Sequence, residues 1–185
     1  MASFYFTLLA VLLSGIGARD QVTVAGLVLR QGARPGVLVT GALVCIASAS
    51  FAAWAATYVI PLLGPQARPI LAAIALGLAG LESMILAPRA SPREPTHSLG
   101  ALALVLAAHQ FTDAARFLVF GVAVGTGAAI PAGMAGSIGG IALVAAGWAL
   151  PEVVTSRGAR IGRRIVGLVL LLAALIVLMR ARGML

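Results

Sequence analysis

Residues 3–29, SFYFTLLAVLLSGIGARDQVTVAGLVL, form one long apolar run that is interrupted by the polar residues Arg19, Asp20 and Gln21. A continuous helix over this run would be about 40 Å long, whereas the hydrocarbon core of a bilayer is about 30 Å thick. The run is therefore long enough to span a membrane, and it must either tilt or break near its glycines. We expect a span rather than a cleaved signal peptide, because the run has no basic segment before it and no clear cleavage site after it.

The composition of the whole chain indicates the same class of protein. Of its 185 residues, 61% are hydrophobic and 10% are charged, and the mean hydropathy is +1.08. Soluble domains are about 45–50% apolar and about 25% charged, and disordered chains are poor in aliphatic residues, so that both classes are excluded. Five more apolar runs follow the first one, at residues 36–63, 69–86, 99–124, 131–150 and 161–179. The sequence predicts an all-α membrane protein with six transmembrane helices.

The charged residues predict how these helices cross the membrane. All 13 basic residues are Arg, against 5 acidic residues, and the formal net charge is +8. The arginines lie between the apolar runs rather than on one basic face, which indicates membrane topology and not nucleic-acid binding. The loops after the first, third and fifth runs hold Arg30, Arg34, Arg89, Arg93, Arg157, Arg160, Arg163 and Arg164, whereas the opposite side holds Arg68, Arg180 and Arg182. This distribution predicts a multi-pass protein of the cell inner membrane with both termini outside the cytoplasm.

A proline-rich stretch divides the chain into two halves. Residues 88–98 contain three prolines and are predicted to form a cytoplasmic linker between two three-helix units, 1–87 and 99–185. Because three is odd, the second unit must cross the membrane in the opposite sense, which gives two inverted three-helix repeats, a common transporter architecture. Trp54 and Trp148 fall at similar positions in the two halves, and each half opens with a run that polar residues interrupt.

Two clusters of polar residues lie at membrane depth, where ionisable groups are costly and face a cavity or a partner. The first run holds Arg19, Asp20 and Gln21, and the fourth holds His109, Gln110, Thr112, Asp113 and Arg116. The spacing predicts that His109, Gln110, Asp113 and Arg116 share one face of a helix, where they can form a His–Asp–Arg network. The two Asp and two Arg have a formal sum of zero. A third acid, Glu82, is expected to reach the membrane interface rather than to act as a ligand.

The charge balance leaves three interpretations open. A divalent cation prefers several oxygen ligands that are not neutralised, which disfavours two Asp paired with two Arg unless the arginines turn away. Proton exchange through Asp113 and His109 is the second interpretation, because burial and a neighbouring cation oppose each other in setting the protonation of a carboxyl group. The third is a pair of buried ion pairs that lock the helix crossings.

Small residues line two of the predicted spans. Gly136 and Gly140 form a GxxxG pattern in the fifth run, and the second run holds Gly41, Cys45 and Ser48 among other small residues. Such faces let helices approach closely, either within the fold, as we expect, or between two copies in a homodimer. The single Cys45 allows neither a disulfide nor a thiolate metal cluster and is expected to be inert packing. We expect no enzyme, since the sequence has no HExxH or GxSxG motif.

The two polar stretches also carry a family resemblance. Residues 12–21 read LLSGIGARDQ, and residues 106–116 read LAAHQFTDAAR. Here the chain resembles the small cation/proton exchangers that include the eukaryotic Golgi manganese/calcium transporters and bacterial manganese exporters. Each three-helix repeat of that family opens with the signature Glu-x-Gly-Asp-(Lys/Arg)-(Thr/Ser), which Gln commonly follows.

The match to this signature is partial in both halves. The first stretch matches at Gly17, Arg19 and Gln21, and it differs at the Glu, Asp and Thr/Ser positions, which hold Gly15, Ala18 and Asp20. In the second stretch Asp113 matches the Asp, whereas Gln110 replaces the Glu and Thr112 replaces the Gly. The resemblance extends over nearly the whole chain in span number, linker position and orientation.

The resemblance implies a diverged divalent cation/proton exchanger whose site lies between the first and fourth spans. Asp20 and Asp113 would bind the metal ion or exchange protons, and further residues would supply oxygens (Gln21, Gln110, Thr112) or set the local field (Arg19, Arg116). Mn²⁺ or Ca²⁺ would be the transported ion, with no resident cofactor and the lipid bilayer as the main partner. One alternative is an exporter of a small amino acid or anionic solute, whose carboxylate the two arginines would bind. Another is a non-transporting membrane subunit with structural ion pairs.

Overall fold

The computed structural model describes residues 1–86, 88 and 98–184, and the regular secondary structure of these residues is helical throughout. In chain order the helices are α1 (Ala2–Gly15), α2 (Arg19–Gln31), α3 (Pro35–Val59), α4 (Ala67–Ile85), α5 (Leu99–Phe111), α6 (Ala114–Thr126), α7 (Ala129–Ala149), α8 (Pro151–Val154) and α9 (Arg157–Ala181). A 3₁₀ turn, Ile60–Leu62, follows α3. Four of these helices (α3 with its 3₁₀ turn, α4, α7 and α9) are each long and apolar enough to cross a bilayer.

Two further candidate spans are pairs of helices that meet at a sharp bend. α1 and α2 meet at 52°, and so do α5 and α6, each across a break of only a few residues. Counting each bent pair as one span brings the total to six in the described part of the chain. The prediction of an all-α fold with several helices able to span a membrane is confirmed for the described residues, and the first run breaks at its glycines. The short helix α8 has no counterpart among the predicted spans.

At the first break, a glycine allows the change of backbone direction, and a side chain hydrogen-bonds to the backbone amide that the break exposes. After α1 ends, the backbone is extended at Ile16 (φ −63°, ψ 119°). It is left-handed at Gly17 (φ 72°), a conformation that glycine adopts without strain. Gln21 Oε1 accepts a hydrogen bond from the Gly17 N–H at 2.7 Å, so that an amide freed by the break is satisfied. Asp20 lies in the first turn of α2, where the helix dipole favours a carboxylate.

The second break corrects the predicted face of polar residues. α5 ends at Phe111, and Asp113 is the N-cap of α6, where its carboxylate accepts a hydrogen bond from the Ala115 N–H at 3.4 Å. His109 therefore belongs to α5 and Arg116 to α6, and the bend between these helices rules out one shared helical face. The cause is local, because an Asp at an N-cap satisfies the amides that begin a new helix and so competes with continuation of the old one.

Arg19 closes the carboxyl end of α5. Its Nη2 atom donates hydrogen bonds to Thr112 O at 3.0 Å, to Thr112 Oγ1 at 2.8 Å and to His109 O at 3.4 Å. The last carbonyl groups of a helix have no partner within it, and the helix dipole favours a cation beside them. The first break thus supplies the side chain that stabilises the second, and the two bends lie against each other.

Small residues bring the straight helices into backbone contact. A Cβ atom at Gly80 of α4 would lie 2.8 Å from Gly167 O of α9, and a Cβ at Gly167 would lie 2.8 Å from Gly80 O. In α7, Gly136 packs against Val119 of α6, and Gly140 packs against α3. The expectation that the GxxxG residues pack within the fold is confirmed, whereas a homodimer through such faces stays a prediction.

The predicted linker, residues 88–98, lies outside the described residues except for Pro88 and Ser98. Ser98 is the N-cap of α5, and its hydroxyl oxygen accepts a hydrogen bond from the Ala101 N–H at 3.3 Å. Two arginines of the predicted cytoplasmic side, Arg89 and Arg93, fall in the part that is not described. The division into units 1–87 and 99–185 stays a prediction.

The variant Gly80→Ala tests the close approach of α4 and α9. The added Cβ has to displace backbone atoms of α9, and overpacking of this kind costs about 1–3 kcal/mol. Gly77→Ala is the matched control on the same helix, because the atom nearest to its Cβ, on Ala174, is 3.9 Å away. We expect Gly80→Ala to lower the midpoint of thermal unfolding in detergent and Gly77→Ala to leave it unchanged or raise it. Equal midpoints for the two variants would contradict the packing.

Candidate functional site

Six charged side chains are buried where the two bends meet α4 and α9. They are Arg19, Asp20, Glu82, Asp113, Arg116 and Arg163, and we call them the break cluster. Arg19 is the most exposed, with 22% of its side chain accessible, whereas each of the others is at most 8% exposed. Three arginines against three carboxylates give a formal sum of zero. This neutrality makes such a cluster tolerable in an interior of low dielectric constant.

Glu82 lies at the centre of one half of the break cluster. Arg163 Nη2 forms a close ion pair with Glu82 Oε2, and Arg19 Nε lies 3.4 Å from Glu82 Oε1. The same Arg163 Nη2 lies 3.7 Å from Asp113 Oδ1. One carboxylate and two guanidinium groups therefore join α2, α4 and α9, and Asp113 ties the start of α6 to them.

The positions of Glu82 and Arg163 correct two predictions. Glu82 is buried and not exposed at the end of α4, because side chains from α2 and α9 pair with it and cover it. Arg163 is not a loop residue, because α9 begins at Arg157 and Arg163 lies in its second turn, with 2% exposure. Both residues belong to the site.

The sequence does hold a signal for these two residues. Ala75, Ala79 and Glu82 follow the helical period along the buried face of α4. Arg163, Gly167 and Ala174 do the same on α9. A charged residue that continues a stripe of small residues lies on the packed face of its helix and not on the lipid or solvent face.

Asp20 has neutral hydrogen-bond donors in the other half of the cluster. Its Oδ1 accepts a hydrogen bond from the Gln21 N–H at 2.7 Å, and its Oδ2 accepts one from Gln110 Nε2 at 2.9 Å. No Arg side chain of the described residues forms an ion pair with it. The other end of Gln110 meets a positive charge, since its Oε1 accepts a hydrogen bond from Arg116 Nη2 at 3.0 Å. Gln110 thus links Asp20 to Arg116.

Two residues of helix α3, Ser48 and Cys45, also hydrogen-bond within the part of the cluster that contains Asp20, Gln110 and Arg116. Arg116 Nε donates to Ser48 Oγ at 2.7 Å, and Ser48 Oγ donates to Gln110 Oε1 at 2.6 Å. Cys45 Sγ accepts a hydrogen bond from Gln110 Nε2 at 3.1 Å, so that Cys45 is a member of the network and not merely inert packing. Ser48 was not among the predicted site residues, although its spacing of three from Cys45 puts both residues on one face of α3.

The remaining predicted site residues lie around the bends. Thr112 and His109 both offer backbone oxygens to Arg19. His109 Nδ1 also lies 3.5 Å from Thr23 Oγ1 of α2. Gln21 points away from the cluster, because its Nε2 donates to Leu143 O of α7 at 2.9 Å. Gln21 therefore serves the packing of α2 on α7 rather than the site.

The two acids that were expected to bind a metal ion have different partners, since Asp20 contacts Gln110 whereas Asp113 faces Arg163. Within residues 1–86, 88 and 98–184, no group of three or more His, Cys, Asp and Glu side chains is arranged to hold a metal ion. The neutral oxygens predicted for such a site already accept hydrogen bonds: Gln110 Oε1 from Arg116, Gln21 Oε1 from Gly17 and Thr112 Oγ1 from Arg19.

Several buried polar atoms of the cluster have no hydrogen-bond partner among the residues that the structure describes. They are Arg19 Nε, Glu82 Oε1, Asp113 Oδ1, Arg163 Nε and Arg163 Nη1. Leaving a buried polar group without a partner costs about 1–3 kcal/mol, and more for a charged group. The cluster is therefore neutral as a whole but incompletely hydrogen-bonded. It has spare acceptors and spare donors with which to bind a proton, an ion or water.

A double-mutant cycle on Glu82 and Arg163 tests the central ion pair. Glu82→Gln and Arg163→Gln each leave a buried charge without its partner, and each is expected to lower the free energy of unfolding by about 3–5 kcal/mol. The double variant is expected to lose less than the two single losses together, because no unpaired charge of this pair remains. Glu152→Gln at the exposed start of α8 is the control and is expected to change little. Additive losses, measured by unfolding in detergent, would contradict the pairing.

Comparison with known proteins leaves this description of the site unchanged. No protein-family model, curated protein or solved structure matches the chain. The resemblance of its two polar stretches to the cation/proton exchangers stays a prediction. The function of the break cluster therefore has to be inferred from its own geometry and charges.

Proposed function

We propose that this protein is a membrane transporter that exchanges a cation for protons at the break cluster. The observation that carries the proposal is the unequal pairing of the three buried carboxylates. Glu82 pairs with Arg163 and lies beside Arg19. Among the described residues, Asp20 accepts only from amide groups, and Asp113 Oδ1 has no hydrogen-bond donor and lies 3.7 Å from Arg163 Nη2. A carboxylate that guanidinium groups do not fully engage is available to take up a proton or a cation.

Charge balance couples the two ligands to each other. With Asp20 and Asp113 both ionised, the cluster sums to zero. Two bound protons raise this sum to +2, and one bound divalent cation raises it to the same value. Binding both together would place still more positive charge beside three guanidinium groups, which is costly in a buried site. Exchange of one divalent cation for two protons leaves the charge unchanged and is the simplest coupling that these residues support.

The arginines of the cluster set its electrostatic field rather than bind the substrate. Arg19 donates to Thr112 and lies beside Glu82, and Arg116 donates to Ser48 and Gln110. These contacts disfavour the alternative in which both arginines receive the carboxylate of a small solute. Gln110 couples the two halves of the site, because its side-chain amide contacts both Asp20 and Arg116 of α6. Protonation or cation binding at Asp20 would therefore change the hydrogen bonding of Arg116 through one amide group.

The two bends support an inverted repeat as the frame of the transporter. Each half has a bent span followed by two long helices: α1–α2, α3 and α4 in the first half, and α5–α6, α7 and α9 in the second. The two bends are equal, at 52°. Inverted-repeat transporters form their ion sites where broken helices meet. As part of this proposal we assign the chain to diverged relatives of the cation/proton exchangers, with Mn²⁺ and Ca²⁺ as the first ions to test.

The arginines outside the cluster support one orientation in the membrane. Without the buried Arg163, seven arginines still lie in the connections and helix ends after the first, third and fifth apolar runs, against three on the opposite side. Cytoplasmic loops carry the excess of basic residues. The proposal therefore has both termini outside the cytoplasm in a cell inner membrane.

One observation favours a second function, a membrane subunit that does not transport. Arg19 stabilises the end of α5, and Glu82 and Arg163 join α4 to α9. Buried ion pairs in these positions would fix the helix crossings even if nothing moved through the protein. Flux and stability measurements on the same variants separate the two functions.

The variants Asp20→Asn and Asp113→Asn are expected to abolish exchange. The purified protein is reconstituted into liposomes that contain a pH-sensitive dye, and a gradient of Mn²⁺ or Ca²⁺ is applied across the membrane. For the unchanged protein we expect protons to move across the membrane in the direction opposite to the flow of the cation. For either variant we expect a loss of about 100-fold, the scale of an essential proton-transfer group, because Asn keeps the shape of Asp but takes up no proton.

The control for both variants is Glu152→Gln, which removes an acid outside the cluster and is expected to retain the flux. Absence of cation-driven proton movement in the folded, unchanged protein would overturn the proposal. Flux of an amino acid in its place would favour the solute exporter. No flux of any kind, together with a lower unfolding midpoint for Asp113→Asn, would favour the structural subunit.

A further inference from the structure

A cavity of about 250 Å³ lies between the end of α4 and the first turns of α9. Four arginines contribute to its lining: Arg157, Arg160, Arg163 and Arg164. Arg157, Arg160 and Arg164 are exposed, and none of them forms an ion pair with a carboxylate of the described residues. Positive charge concentrated in a concave site attracts anions.

The inner end of this cavity holds buried donors that have no acceptor among residues 1–86, 88 and 98–184. Ser83 is 1% exposed, and its hydroxyl group has no hydrogen-bond partner in this part of the chain. Arg163 is 2% exposed, and its Nε and Nη1 atoms have none either. Both residues line the cavity. An anion with several acceptor oxygens would satisfy the hydroxyl and the guanidinium together, and would remove the cost of leaving them unpaired.

The cavity also has an apolar rim at the end of the bundle. Leu86 and Ile161 line it and are 37% and 51% exposed. Ile165 and Leu168 extend the exposed apolar surface of α9 away from the cavity, toward the middle of the helix. An anionic group in the cavity would thus lie where a span ends, beside a surface that suits acyl chains.

We propose that this cavity binds the phosphate group of an anionic phospholipid or of a free phosphate compound. The exposed arginines form the outer contacts, and Ser83 and Arg163 donate from the inner end. Guanidinium groups match phosphate oxygens in geometry and charge, and basic pockets between transmembrane helices bind anionic lipid headgroups. This site is separate from the proposed cation exchange and does not depend on it, although Arg163 contributes to both regions.

The triple variant Arg157→Gln/Arg160→Gln/Arg164→Gln tests the outer contacts. The matched control is Arg180→Gln/Arg182→Gln at the opposite end of the chain's last helix, which also removes only exposed arginines. Native mass spectrometry of the detergent-purified protein measures bound phosphatidylglycerol against phosphatidylcholine, and thermal unfolding measures the effect of inorganic phosphate, since a ligand of the folded state raises its stability. We expect the triple variant to bind about tenfold more weakly or worse, and the control to bind as the unchanged protein does.

The variant Ser83→Ala tests the inner end, because it removes a donor without changing any charge. We expect weaker binding in Ser83→Ala, with an unfolding midpoint of the ligand-free protein that is unchanged or higher, because the variant removes an unpaired buried hydroxyl group. Selective retention of phosphatidylglycerol identifies a lipid as the ligand, and stabilisation by inorganic phosphate alone identifies a free phosphate compound. The proposal is overturned if neither probe binds, if the control variant loses as much binding as the triple variant, or if Ser83→Ala binds as the unchanged protein does.

Discussion

The two sharp bends, between α1 and α2 and between α5 and α6, impose the constraint on which the rest of this structure depends. In a bilayer, backbone groups that a break releases have no water to bind and must be satisfied by the protein itself. Arg19 satisfies the end of α5, Gln21 satisfies the amide of Gly17, and Asp113 caps α6. Arg19 and Asp113 are charged and need counter-charges nearby. Glu82 of α4 is the counter-charge of Arg19, and Arg163 of α9 is the counter-charge of Asp113. The break cluster follows from the breaks.

Close helix packing is what lets these counter-charges meet. Gly80 and Gly167 hold the backbones of α4 and α9 in contact, and Glu82 and Arg163 lie within four residues of them. A bulkier pair of residues would separate the helices and with them the ion pair. The arrangement is neutral overall, yet its acids differ, since Glu82 is held by arginines whereas Asp20 contacts only amides. That inequality leaves part of a buried, charged site available for chemistry.

Much of this fold could be predicted from the sequence, because spanning a bilayer demands apolar runs of a minimum length. For residues 3–29, which are longer than one perpendicular span, the sequence leaves a tilt or a break near the glycines as the two possibilities, and the structure has the break. The second break could not be predicted, because Asp113 reads equally well as a member of a continuous helical face and as an N-cap. Nor could the pairing of Glu82 with Arg163, 81 residues apart, since periodicity shows that a face is buried but not which face it meets.

The alkylation rate of Cys45 by a membrane-permeant maleimide tests most directly whether the break cluster is a transport site. Cys45 is the single cysteine of the chain, is fully buried and contacts Gln110 of the network. A transport site must reach water in one of its conformations, where a thiol becomes reactive. If the break cluster is a transport site, we expect Cys45 to react in the folded, reconstituted protein, and we expect Mn²⁺ or Ca²⁺ to change the rate of this reaction. In the Asp20→Asn variant we expect the cations to leave the rate unchanged. A Cys45 that reacts only on unfolding, at a rate that no cation alters, would contradict it.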